Sequence, residues 1–131
     1  MTLIKRGDVV RVLFPNSNLR TAKRRPALVV QADNLNTGLP QTVLAMISSN
    51  LNRVNHPSRV TVLLSSPEGI SSGLRLDSVI MTDNLITVFN SEIDSVPGSL
   101  LKISKIESAL CHTFGINNFS KEKLEENGKS N

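Results

Sequence analysis

The sequence contains no tryptophan, no tyrosine and only four phenylalanines. A nucleic-acid reader that stacks successive bases on a row of aromatic rings is therefore not expected. A single cysteine, Cys111, rules out an intrachain disulfide and any zinc site built on paired cysteines. It follows Leu110 on the apolar side of a candidate helix and reads as a small buried hydrophobe. The only histidines are His56, in a polar loop, and His112, which reads as a surface or partly packed residue rather than a ligand. There is no Gly-rich phosphate loop, no His-x-x-x-His pair and no Gly-x-Ser-x-Gly elbow. No metal and no cofactor are expected. No stretch approaches about 18 apolar residues, so no membrane partner is expected. The start MTLIKRGDVV lacks the apolar core of about 7–15 residues that marks a secretory signal, and the expected location is the cytoplasm.

What is present fits one domain of ordinary size. The chain has 131 residues, 39% hydrophobic and 20% charged. With a mean hydropathy of −0.06 it is neither disordered nor membrane-embedded in composition. The net charge of +4 is unevenly spread. Residues 1–75 hold ten Lys and Arg against Asp8, Asp33 and Glu68, whereas residues 76–131 carry a net −3. A one-sided basic segment suits a phosphate-bearing partner, or simply a solvated surface.

Short β-rich runs follow one another. Val9–Phe14, Ala27–Gln31, Thr42–Ser48, Arg59–Leu63, Asp77–Met81 and Leu85–Phe89 read as strands, separated by Gly, Pro, Asn and Ser. Pro15 opens a polar loop to about Arg25, Asn50–Pro57 is a second loop, and Ser65–Gly69 is a turn. After Pro97-Gly98 the pattern changes. Leu100, Ile103, Ile106, Leu110 and Phe114 recur at helical spacing, with Ser99 or Ser104 as the start and Gly115 as the stop. The expectation is a mainly β (α+β) fold: a small antiparallel β-barrel with a C-terminal amphipathic helix. Residues 1–118 are expected to form the domain and 119–131 a polar, disordered tail.

Two segments carry chemistry. Lys23-Arg24-Arg25-Pro26 stands at the mouth of a strand, and a guanidinium fork matches two phosphate oxygens. In Arg75-Leu76-Asp77 an extended chain would set a cation and a carboxylate on one face, either for acid–base work or as a surface pair.

Together these segments resemble the MazF/PemK-type toxins of bacterial type II toxin–antitoxin systems. The resemblance rests on Lys5-Arg6-Gly7-Asp8-Val9-Val10, on Lys23-Arg24-Arg25-Pro26-Ala27-Leu28-Val29-Val30-Gln31, on Ala45-Met46-Ile47-Ser48, and on Ser72 to Ile80 with Asn84-Leu85-Ile86-Thr87-Val88 behind it. It covers about residues 4–116. It implies an SH3-like barrel of the CcdB/PemK kind, and a homodimeric, metal-independent endoribonuclease. Such an enzyme cuts single-stranded mRNA to 2′,3′-cyclic phosphate and 5′-hydroxyl ends and is inhibited by a cognate antitoxin.

The resemblance implies that Arg25, Ser48, Arg75 and Asp77 are catalytic. Arg25 matches a catalytic arginine. Ser48 falls where a catalytic Thr or Ser is usual. Arg75 and Asp77 match an Arg-x-Asp pair, with Asp77 the matched carboxylate available as base. Arg20, Lys23, Arg24 and Asn84 are expected to bind RNA, with any base stacking left to Phe14, Phe89 or an arginine plane. The first loop, Asn16 to Lys23, is more basic than the Gly-Ser-Glu type common in the family. The alternatives are a non-catalytic CcdB/PemK-fold protein and a basic nucleic-acid-binding module.

Overall fold

A computed structural model describes residues 3–15, 18 and 20–117. Six strands form one antiparallel sheet: β1 (Asp8–Pro15), β2 (Ala22–Val29), β3 (Gln41–Ser48), β4 (Arg59–Val62), β5 (Ser78–Phe89) and β6 (Ile93–Ser99). Their order is β4-β5-β3-β2-β1-β6. Helix α1 (Pro67–Ser72) precedes β5, and α2 (Ser104–Phe114) ends the described fold.

Strand alternation sorts the apolar residues onto two faces. Val9, Leu28, Ala45, Ile47, Val62 and Ile80 form one buried cluster, capped by Ile106 of α2. Val10, Val12, Ala27, Val29, Leu44, Met46 and Val88 form the other. Ile93 and Val96 of the edge strand β6 pack against this second cluster together with Ile86 of β5. The sheet therefore curls on itself. Its edges β4 and β6 share no ladder among the described residues, so the expected closed barrel is a curled open sheet.

Two of the predicted strands prove to be one. β5 runs without a break, but its pairing with β3 jumps from Ala45↔Leu85 to Met46↔Met81. Thr82, Asp83 and Asn84 bulge out of the ladder. This odd insertion flips the alternation, so that Ile80 and Leu85 both face the first cluster. Buried hydroxyls pin the bulge. Thr82 Oγ1 donates to the Ser58 carbonyl at 2.6 Å and lies 2.8 Å from Thr113 Oγ1 of α2.

Other elements depart from the sequence reading. β2 begins at Ala22, so Lys23–Arg25 extend a strand rather than end a loop. The turn at Ser65–Gly69 opens helix α1. Ser66 caps it by accepting the Gly69 N–H at 3.0 Å, and Gly73 ends it at φ +72°. β6 forms at Ile93–Ser99, where the sequence pattern predicts no strand. α2 starts at Ser104, not Ser99, and ends as expected at Gly115. Ile103, Ile106 and Leu110 pack inward, whereas Phe114 is exposed. Cys111 is half-buried. The tail expected over 119–131 lies outside the described residues.

Candidate RNA groove

One groove of about 940 Å³ runs across β2, β3 and the start of β5. Its lining includes Arg11, Lys23, Arg24, Arg25, Arg53 and Arg75 and, among the described residues, no carboxylate. Cations that converge without acids create a positive field, and partial exclusion of water strengthens it. Arg24 forms an ion pair, Nε to Asp94 Oδ2 at 3.0 Å.

Each side chain arrives for a local reason. In β1, Val10, Val12 and Phe14 share one face, and Arg11 falls on the other, beyond Val9. In β2, Arg25 pairs with Val12 and Pro26 with Arg11, which sets Arg11 and Arg25 one residue apart across the hairpin. Ser48 closes β3. Its Oγ accepts the Asn50 N–H at 3.1 Å, which fixes the hydroxyl and leaves its proton to donate. Arg75 follows the close approach of α1 to β6: a Cβ at Gly73 would lie 2.5 Å from the Pro97 carbonyl oxygen. Asn84 is delivered by the β5 bulge.

Of the residues singled out in the sequence, Arg25, Ser48, Arg75, Lys23, Arg24 and Asn84 meet in this groove. Two do not line it. Arg20 is exposed on the first loop. Asp77 accepts the Leu64 N–H through Oδ1 at 2.7 Å, holding the turn after β4. Residues 75–76 form a bend, not extended chain, so the same-face expectation for Arg75 and Asp77 fails there. The two form no ion pair among the described residues. Phe14 lines the groove, but Phe89 does not. Arg11 and Arg53 were missed. A lone cation in the apolar run Val9–Phe14 was the available signal for Arg11, and Arg53 had none beyond its charge.

A family model for the PemK-like, MazF-like toxin of type II toxin–antitoxin systems matches residues 5–114. The chain belongs to this toxin family. Its relatives include the endoribonuclease MazF of Staphylococcus epidermidis, 27% identical over 124 residues, covering 92% of this chain and 99% of that protein. Among solved structures, an endoribonuclease in complex with its cognate antitoxin from a mycobacterial species superposes with a TM-score of 0.67 at 21% identity, over 88% of this chain and 98% of that one. The toxin MazF-mt6 of Mycobacterium tuberculosis gives 0.66 at 19% identity, over 84% and 98%. These superpositions establish a shared toxin fold. The family match spans every element that lines the groove, from β1 to β6.

Among the described residues no helix is long and apolar enough to cross a membrane.

Proposed function

We propose that this chain is the toxin of a type II toxin–antitoxin pair, an endoribonuclease that cuts single-stranded mRNA in the cytoplasm. The observation that carries the reading is the groove itself, lined by six cationic side chains and Ser48 and, among the described residues, by no carboxylate.

Cleavage begins when a ribose 2′-hydroxyl attacks the adjacent phosphorus, and it expels the 5′-oxygen of the next nucleotide. The products are a 2′,3′-cyclic phosphate and a 5′-hydroxyl. The phosphorane gains negative charge, and preorganised donors stabilise it. Arg25 and Arg75 are the charge clamp. Ser48 donates to a nonbridging oxygen while Asn50 holds its acceptor side. Guanidiniums supply the positive charge that a metal would otherwise bring, so the reaction is metal-independent. Among the described residues the lining holds neither carboxylate nor imidazole. In this reading the field of the arginines favours ionisation of the 2′-hydroxyl, whose proton passes to water, and the departing 5′-oxygen takes a proton back from water to become the 5′-hydroxyl. Asp77 is assigned to the fold, where it ties the end of the link that carries Arg75 to the turn after β4. Lys23, Arg24 and, from the loop, Arg20 hold the RNA backbone, while Asn84 meets a base.

The same field suits an acidic antitoxin segment that competes with RNA, and the chain acts as a homodimer. The test is induced expression in a bacterium. Wild type is expected to arrest growth, Arg25→Ala to leave growth unaffected, and co-expressed antitoxin to restore it. Growth arrest that persists undiminished in Arg25→Ala would overturn the assignment. Wild type without effect would favour a non-catalytic binder.

A further inference from the structure

Arg53 stands in the groove on a built support. It ends a single 3-10 turn, Leu51–Arg53. Its N–H donates to the Asn50 carbonyl at 3.2 Å, and its carbonyl accepts from Arg59 Nη1 at 3.2 Å. Its Nη1 lies 3.5 Å from Met81 Sδ. Arg59 is in turn forked onto Asp83, with Nη2 to Oδ2 at 2.9 Å and Nε to Oδ1 at 3.5 Å. Asp83 is the middle residue of the β5 bulge, and its neighbour Asn84 lines the same groove. One guanidinium, Arg59, thus joins the turn that bears Arg53 to the bulge that bears Asn84.

The topology separates this wall from the phosphate clamp. β3 lies between β5 and β2, so Asn84 and Arg25 come from strands on opposite sides of it. Met46 and Met81 give the floor between them an apolar, polarisable surface. A base face fits against such a floor, whereas a phosphate does not.

We propose that Arg53 and Asn84 form a base-reading wall, set in place by the Arg59–Asp83 pair, that takes the Hoogsteen edge of an unstacked guanine beside the scissile phosphate. The inference rests on the RNA reading of the groove and assigns its specificity. An arginine fork matches the O6 and N7 acceptors of guanine, and a pyrimidine presents no such adjacent pair. Arg53 touches the base. Arg59 and Asp83 are positioning residues that act through it.

The experiment measures binding, so that it does not depend on turnover. Short single-stranded RNAs blocked against cleavage by 2′-O-methyl groups carry one guanine, or uracil in its place. Fluorescence anisotropy is read for wild type, Arg53→Ala, Asp83→Asn and Asp83→Glu, with thermal unfolding as the control for folding. Wild type is expected to prefer the guanine RNA by roughly 5- to 150-fold, the range of one good bidentate contact. Arg53→Ala should lose that preference and keep salt-dependent binding. Asp83→Asn should weaken the preference without touching RNA, and Asp83→Glu should restore part of it. An Arg53→Ala protein that discriminates as well as wild type, or a wild type with no guanine preference, would overturn the inference and leave RNA binding standing. An Asp83→Asn protein with full preference would remove the positioning role. A wild type that binds neither RNA would overturn this inference and the proposed function together.

Discussion

The Asp77 carboxylate accepts the backbone N–H of Leu64 at 2.7 Å. This bond crosses from the start of β5 to the turn after β4. It engages one oxygen of the acid that the family resemblance offered as a general base, and Asp77 does not line the groove.

Replacement of Asp77 should therefore act on the fold before the chemistry. Asp77→Ala leaves the Leu64 N–H without its partner and is expected to cost about 1 kcal/mol of stability. Asp77→Asn keeps an acceptor oxygen and should cost less. Both should retain RNA cleavage within about tenfold of wild type once folded protein is compared. That margin is small beside the loss of about 10²–10³ expected when a charge-clamp donor is removed. Thermal unfolding and initial cleavage rates, measured on the same preparations, separate the two effects. A rate that collapses in Asp77→Asn while the unfolding midpoint holds would restore Asp77 as the base.

Gly73 is a second position where fold and site are coupled. Its φ of +72° favours glycine, and an added Cβ would meet the Pro97 carbonyl oxygen at 2.5 Å. Gly73→Ala should cost at least about 2 kcal/mol, from left-handed strain and from forcing α1 away from β6. Because Arg75 leaves the helix two residues later, cleavage should fall along with the midpoint. An alanine variant with wild-type stability would contradict the close approach.

The Arg59–Asp83 pair makes stability depend on pH. The hydrogen bond from Arg59 holds the Asp83 carboxyl below its ordinary range, partly offset by burial. A carboxyl whose folded pKa is depressed contributes stability above its unfolded pKa of about 3.9 and loses it as pH falls through the folded value. Both side chains are partly exposed, at 25% and 32%, so the pair is worth only about 0.5–1 kcal/mol. The midpoint difference between wild type and Asp83→Asn should be constant from about pH 7 to 5 and shrink below about pH 4. A difference unchanged at about pH 3 would show that the pair carries no such linkage.

Where the sequence was legible, burial made it so. Val9, Leu28, Leu44 and Ile80 lie at 0% exposure, in runs whose β-branched composition announces strands. Gly115 marked the end of α2 because a left-handed cap leaves a glycine. The misreadings lie where composition and geometry diverge. Pro67-Glu68-Gly69-Ile70-Ser71-Ser72 carries turn residues, yet its caps at Ser66 and Gly73 make it a helix. Ile93–Ser99 holds Asp, Pro and Gly and pairs with β1 only through shifted registers, which edge strands tolerate. Residues 77–81 and 85–89 read as two strands because a three-residue bulge breaks the alternation between them.

The site divides in the same way. Arg25, Ser48 and Arg75 are far apart in sequence and meet only because β2, β3 and the α1–β5 link converge on one groove. The family motif named them, whereas spacing alone did not. The bend at residues 75–76 breaks the period-two argument that placed Asp77 beside Arg75. Arg53 owes its place to a carbonyl contact with Arg59, and such a tertiary contact leaves no trace in local pattern.

The most direct test of the account is the chemistry of the cut ends. Wild type, Arg25→Ala and Arg75→Ala are incubated with single-stranded RNA in excess chelator, and the termini are read by mass spectrometry. The account predicts 2′,3′-cyclic phosphate and 5′-hydroxyl ends from wild type, and rates lower by about 10²–10³ in each variant. Cleavage that requires a divalent metal and leaves 3′-hydroxyl and 5′-phosphate ends, or no cleavage by wild type, would contradict it.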